Sequence, residues 1–218
     1  MAIGIGISRA VADTLFAFAC VGCAAPNLYT TPRATPNNKF TSVVATQLVA
    51  RPELRERVYG LQLGGRVGLA PRLDGGLRTN FSSLAADLKW NAIRSQSFDL
   101  ALDGGIEILP ETLYVDLPIL FGINVSEAVS LLPSTGITLG SGTQPTMDGN
   151  QSYDDGLHER RPAGRVLIRA GLGAQFRITP RFAVVPEFTY TGPIDGGRHG
   201  TSEYLAFGLG FCFGAQPY

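Results

Sequence analysis

Charge is scarce in this chain. Lys, Arg, Asp and Glu make up 17% of its 218 residues, against about a quarter in soluble domains, so a surface facing water on all sides would be short of ionised groups. Neither sign is in excess. The 18 basic residues match 18 acidic ones, and no long basic run occurs, which excludes the electrostatic footprint of a nucleic-acid binder. No apolar run reaches the roughly 18 residues that a spanning helix needs. If the chain crosses a membrane, it does so as a closed barrel, the other structure that satisfies every backbone group in lipid. Cysteine is rare as well. Cys20, Cys23 and Cys212 do not make a disulfide framework, and Cys20-x-x-Cys23 lies outside the strand-to-helix setting of a redox pair.

What the chain does have is glycine, 27 residues of it, and a strict alternation. In the last such segment Leu205, Phe207, Leu209, Phe211 and Phe213 fall on one face, with Ala206, Gly208, Gly210 and Cys212 on the other. Period-two alternation means strands with one apolar face. The pattern recurs: Leu61, Leu63, Val67 and Leu69; Leu84, Leu88 and Trp90; Phe98, Leu100 and Leu102; Val115, Leu117, Ile119 and Phe121; Val166 through Phe176; Phe182 through Tyr190. The phase holds within segments, and a slip of one residue would turn every side chain to the other face. Residues 40–50 alternate less cleanly. Short links fall at 71–72, 94–96, 124–126 and 179–181. Between them come links at 51–56, 80–82, 109–112, 139–164 and 192–202. Tight turns alternating with more variable loops match the two ends of an outer-membrane barrel. The fold expected is an all-β, antiparallel up-and-down transmembrane barrel of about ten strands, eight as fallback, over residues 40–213, with 214–218 a C-terminal tail and both termini on the short-turn side.

The non-apolar face carries Arg66, Asp74, Arg78, Asp87, Lys89, Asp99, Asp103, Glu107, Asp116, Arg169, Arg177 and Glu187. A soluble barrel or sandwich would put these in water and the leucines inside. A membrane barrel puts them in the lumen, where acids and bases must pair because an unpartnered buried charge is costly. Eight to ten strands are about wide enough for side chains to fill the interior. The expectation is therefore a lumen closed by charged side chains or left very narrow, with Cys212 as a small inward filler. Trp90, Tyr114, Tyr190 and Tyr204 are candidates for the interfacial aromatic girdle.

Residues 1–23 read as an export signal, with Arg9 ahead of the short apolar core Leu15–Gly22. Cys20-Val21-Gly22-Cys23 resembles a bacterial lipobox, departing from it at Cys20 where Leu is usual. That resemblance implies lipidation at Cys23, and Ala24 fits sorting to the outer membrane. Residues 24–39 hold three prolines among small polar residues, a linker composition.

The last strand is similar to the assembly signal of small Gram-negative outer-membrane β-barrel proteins, Gly-x-x-aromatic-x-aromatic, at Gly208, Phe211 and Phe213; Ala206 stands where that family has a polar residue. Gly68–Asp74 and Ile178–Phe182 look like the periplasmic turns of such barrels. The resemblance implies residence in the bacterial outer membrane with lipid as the constant partner. It carries no catalytic position, since architecture does not give activity.

Candidate chemistry is confined to the two long loops. His158 and His199 have Asp154, Asp155, Glu159, Asp195 and Glu203 near them in sequence. A carboxylate-oriented histidine such as His158 with Asp155, or His199 with Asp195, activates water or a hydroxyl, and Ser152 or Ser202 is then a nucleophile. This would make a rim-site hydrolase acting on protein or lipid. Asp148–Glu159 spaces oxygen ligands as a calcium loop does, with Tyr153 where that loop needs glycine. Against both stands the ordinary tendency of solvated loops to collect such residues. The reading is thus a barrel without catalytic role, metal or cofactor. It serves envelope structure or contacts envelope proteins through loops 139–164 and 192–202. The alternatives are the hydrolase and a narrow channel for small solutes.

Overall fold

In the computed structural model the described residues are 28–51, 56–80, 83–109, 112–144, 161–162, 165–194 and 203–214. They form β1 (Phe40–Arg51), β2 (Glu56–Ala70), β3 (Leu73–Thr79), β4 (Leu84–Arg94), β5 (Phe98–Leu109), β6 (Thr112–Asn124), β7 (Val129–Gln144), the two-residue β8 (Arg161–Pro162), β9 (Arg165–Thr179), β10 (Phe182–Pro193) and β11 (Tyr204–Gly214). Leaving out β8, ten strands pair antiparallel in chain order, and β11 closes on β1 from Thr41–Gly214 to Ala50–Leu205. The result is a closed antiparallel ten-stranded barrel, all-β, with no helix among the described residues. Closure removes the two sheet edges that would otherwise present bare backbone groups.

The alternation read from the sequence decides which way each side chain points, and the barrel is inside-out relative to a soluble one. Leu77, Leu84, Leu88, Ile106, Leu117, Leu172 and Phe207 are half or more exposed on the outer wall. Ionised side chains at the same levels are buried: Asp74 and Glu107 at 0%, Lys89 and Asp99 at 1%. At the short-turn end the outer wall carries a ring of aromatics. Phe182 and Phe213 face each other across β10–β11 at 5.2 Å, and Phe98 meets Phe121 at 6.3 Å. Such pairs add about 0.5–1.5 kcal/mol each beyond the area they cover.

Three expectations are corrected here. Tyr114 and Tyr204 point inward and are buried, at 6% and 8%, because each lies on the lumen-facing parity of its strand; Trp90, 50% exposed, is on the outer wall as expected. β7 runs on to Gln144, so the loop expected from 139 begins later. Its last turns, Gly140-Ser141-Gly142-Thr143, have no apolar alternation to read, yet they continue the ladder with β6 and then pair with β8. Finally, over its described part, 28–39, the segment expected as a linker lies within the barrel instead. Its only ladder contact is a single parallel bridge, Asn37 to Gly68.

Candidate functional site: the lumen and the segment inside it

Each lumen charge is placed by strand parity alone, and the register then brings acids and bases together. Arg66 on β2 reaches across β3. Its Nη2 donates to Asp74 Oδ1 at 2.7 Å and its Nη1 lies 2.6 Å from Asp87 Oδ1. Arg78 Nε stands 3.5 Å from Asp87 Oδ2, and Lys89 Nζ 3.3 Å from Asp74 Oδ2. Thr138 donates to Asp116 at 2.6 Å. Ser83 donates to Glu107 in a short hydrogen bond. On the far wall Arg169 Nη2 is 3.7 Å from Glu187 Oε1. Arg177 is half-buried near the short-turn end. Acids and bases alike are buried on the inner wall. The structure joins Arg66, Arg78, Asp87 and Lys89 with Asp74 into one cluster, and keeps Arg169 with Glu187 apart from it. Asp103 Oδ1 and Arg78 Nη1 are among the buried atoms with no hydrogen-bond partner in the described residues.

The centre of the site is the segment Leu28–Lys39, which starts inside the lumen and leaves it at the short-turn end. At its exit Asn38 N–H donates to Gly68 O and Gly68 N–H to Lys39 O, both at 3.0 Å. Gly68 is obligatory there, since a Cβ would run into the Pro36 carbonyl. Further in, Thr35 N–H donates to Asp74 Oδ2 at 2.6 Å. Arg33 Nε donates to Asp99 Oδ2 at 2.7 Å, a carboxylate that also accepts from Asn124 Nδ2 at 2.8 Å. Lys89 Nζ donates to the Thr31 carbonyl at 2.6 Å and to Thr30 Oγ1 at 3.0 Å.

At the inner end Glu187 grips two successive backbone N–H groups, Leu28 at 2.9 Å and Tyr29 at 2.7 Å. Tyr29 has a φ of 46°. A left-handed residue turns neighbouring N–H groups the same way, which makes a concavity suited to an anion; here the anion is the Glu187 carboxylate. The Tyr29 ring lies over Gly210, where a Cβ would come within 2.7 Å of it. It packs with Ala45, Leu132, Val185 and Cys212, while Leu28 packs with Ala101 and Leu120. A cavity of about 40 Å³ separates the segment from the β1–β3 wall, room for about three waters.

This is an arrangement that holds a chain. The segment brings few apolar groups and many backbone donors and acceptors. Inside a low-dielectric barrel each of those must be satisfied, and wall charges meet the N–H groups of Leu28, Tyr29 and Thr35 and the carbonyl of Thr31. Sequence reading found the wall but missed its occupant. The available signal was the set of inward glycines, Gly68, Gly122 and Gly210, with no visible reason to be small. Pro32 lies against Gly122 as Tyr29 lies against Gly210.

The other predicted positions fall outside the described residues: Cys23, His158, His199, Asp155, Asp195, Ser152, Ser202 and the calcium-like stretch 148–159. Glu203 is described, exposed beside the start of β11. Among the described residues no cluster of His, Cys, Asp and Glu is arranged to hold a metal ion.

An exposed belt of Leu, Ile and Phe around a buried lattice of ions is stable only with hydrocarbon outside. The fold is similar to that of solved structures. The NanC porin aligns over 79% of this chain and 98% of its own, at 8% identity and TM-score 0.53. Ail, the attachment invasion locus protein of Yersinia pestis, aligns over 81% and 96% at 14% identity and TM-score 0.39. The N-terminal barrel domain of Pseudomonas aeruginosa OprF aligns over 82% and 98% at 12% identity and TM-score 0.38. The chain has the fold of an outer-membrane β-barrel. At these identities the likeness is one of fold. No protein-family model and no curated protein sequence matches the chain.

Proposed function

We propose that this barrel is a non-catalytic resident of the bacterial outer membrane with a structural or interaction role. Its lumen is shut to solutes, and its contacts with envelope partners are made through the loops that join β7 to β9 and β10 to β11. One observation carries the reading: the lumen is occupied, by a paired lattice of charges and by residues 28–39 bound to it. A conducting barrel needs a continuous wet path, and here Asp74, Lys89, Asp99 and Glu187 are each 7% exposed or less.

Bilayer recording tests it. The full-length protein, refolded and reconstituted at high protein-to-lipid ratio, is expected to give no channel steps in molar KCl. Regular steps from the purified, heat-modifiable band would end the proposal. Export through residues 1–23 and acylation at Cys23 belong to the same reading. Intact-mass spectrometry of the membrane-extracted protein should show a chain starting at Cys23 and carrying acyl mass; a mature chain starting elsewhere refutes that part.

A further inference from the structure

We infer that residues 28–39 are an autoinhibitory strap: the chain's own N-terminal segment, not the charged side chains, seals the lumen, and the passage beneath it prefers small cations. The inference refines the closed-lumen reading above and rests on it.

Three observations lead there. The first is width. Eight strands make an interior that side chains just fill, and this barrel has ten. The wall does not make up the difference with bulk. Where the strap crosses it, the wall is cut back to Gly68, Gly122 and Gly210, and a Cβ on any of them would collide with Pro36, Pro32 or Tyr29. Take the strap away and those positions leave a gap, not a plug.

The second observation is how the strap is held. It has no helix and no ladder beyond one bridge. Its inner end depends on one carboxylate, Glu187, and its middle on Lys89, Asp99 and Asp74. Its main apolar anchors are Leu28 and Tyr29, the latter in a left-handed backbone, with the smaller Pro32 and Ala34 beside them. Such a segment can leave as a unit without breaking any strand pairing.

The third observation is charge. The described inner wall carries seven acids, Asp74 included, against five bases. The strap supplies a further base, Arg33, which pairs with Asp99. Its departure takes one donor from Asp74, the Arg33 guanidinium from Asp99 and two N–H groups from Glu187, and leaves the wall's excess of acids in place. Asp103 already has an oxygen without a partner. A narrow passage lined by one excess sign concentrates the opposite ion, so the opened lumen selects cations.

The test uses the full chain with Cys20 and Cys23 changed to serine, so that Cys212 is the reporter. Cys212 is 7% exposed and lies under the strap, its thiol 3.8 Å from the Tyr29 carbonyl. Glu187→Gln combined with Gly210→Leu leaves the inner clamp one acceptor where it had two, turns an NH2 donor on the other N–H, and fills the place of the Tyr29 ring. A second variant deletes residues 28–36. Fold is checked by heat-modifiable mobility, strap position by labelling of Cys212 with a small charged methanethiosulfonate, and conduction in planar bilayers under a tenfold KCl gradient.

The expected result is a silent, unlabelled parent beside folded variants whose Cys212 labels. These variants should conduct, with a reversal potential displaced towards the potassium equilibrium value. A folded variant that labels yet stays silent overturns the inference, because side chains alone would then seal the barrel; the closed-lumen reading would survive that result. Anion selectivity overturns it through its charge argument. A parent that conducts as its variants do refutes both readings.

Discussion

Leu172→Arg is expected to cost about 2–4 kcal/mol of stability in a bilayer, the range for a basic residue at the lipid-facing midplane of a barrel. Leu172 is the middle residue of β9 and 58% exposed. It sits between Phe188 on β10 and Pro133 on β7 in the ladder, so no lumen is within reach of the new guanidinium. In water the same change at so exposed a site would fall within about 0.5 kcal/mol. The two environments therefore predict different numbers from one substitution. Ile178→Arg is the internal control. It is 63% exposed but one residue from the strand end, where headgroups and water take up the charge and the cost falls to about 0–1 kcal/mol. Urea titration of refolding into vesicles, read by heat-modifiable mobility, gives both values. Equal, near-zero costs at the two positions would mean that the leucine-bearing wall does not meet hydrocarbon.

Asp74→Ala is expected to cost about 3–5 kcal/mol, as removal of one partner from a buried ionic cluster does. Asp74 is fully buried. It accepts from Arg66 Nε at 3.0 Å, from Arg66 Nη2 at 2.7 Å and from the Thr35 N–H at 2.6 Å, with Lys89 Nζ at 3.3 Å. Its loss leaves a guanidinium and an ammonium facing each other across a space they had shared with a counter-ion. Asp74→Asn keeps the shape and an acceptor for Thr35 but loses the charge, so its cost should fall between alanine and the parent. The same substitution reports on the strap. Without the anchor at Thr35 the segment is expected to admit trypsin after Arg33, a bond the parent protects. Full protection in a folded Asp74→Ala barrel would show that the strap does not depend on this carboxylate.

Much of the architecture was open to reading because strand parity is local. Val166 through Phe176 and Leu205 through Phe213 announce their outer face without reference to any neighbour, and the inward position of Asp87, Lys89, Glu107 or Arg169 follows from counting by twos. The inward Cys212 follows in the same way. The register of Thr41 with Gly214 puts the start of β1 and the end of β11 at the short-turn end, while both chain termini lie outside the described residues. The limits of that method are equally physical. Tyr114 and Tyr204 were assigned to the girdle by residue type, although parity turned them inward. The end of β7 escaped because Gly140–Thr143 has no apolar member to set a phase.

The strap is the largest omission. Prolines and small polar residues without period read as a linker, and by composition residues 28–39 are one. Nothing within that stretch says that Leu28 and Tyr29 will meet Glu187, 159 and 158 residues away.

By itself, then, the sequence determined that strands would form, which face of each would look outward, and that the inner face would be ionic, since all three depend on spacing within a few residues. Only the closed barrel decided which acid meets which base. It also decided that a ten-stranded circumference leaves room at the centre, and that residues 28–39 fill that room. Such pairings depend on circumference and register, which come into being when β11 meets β1.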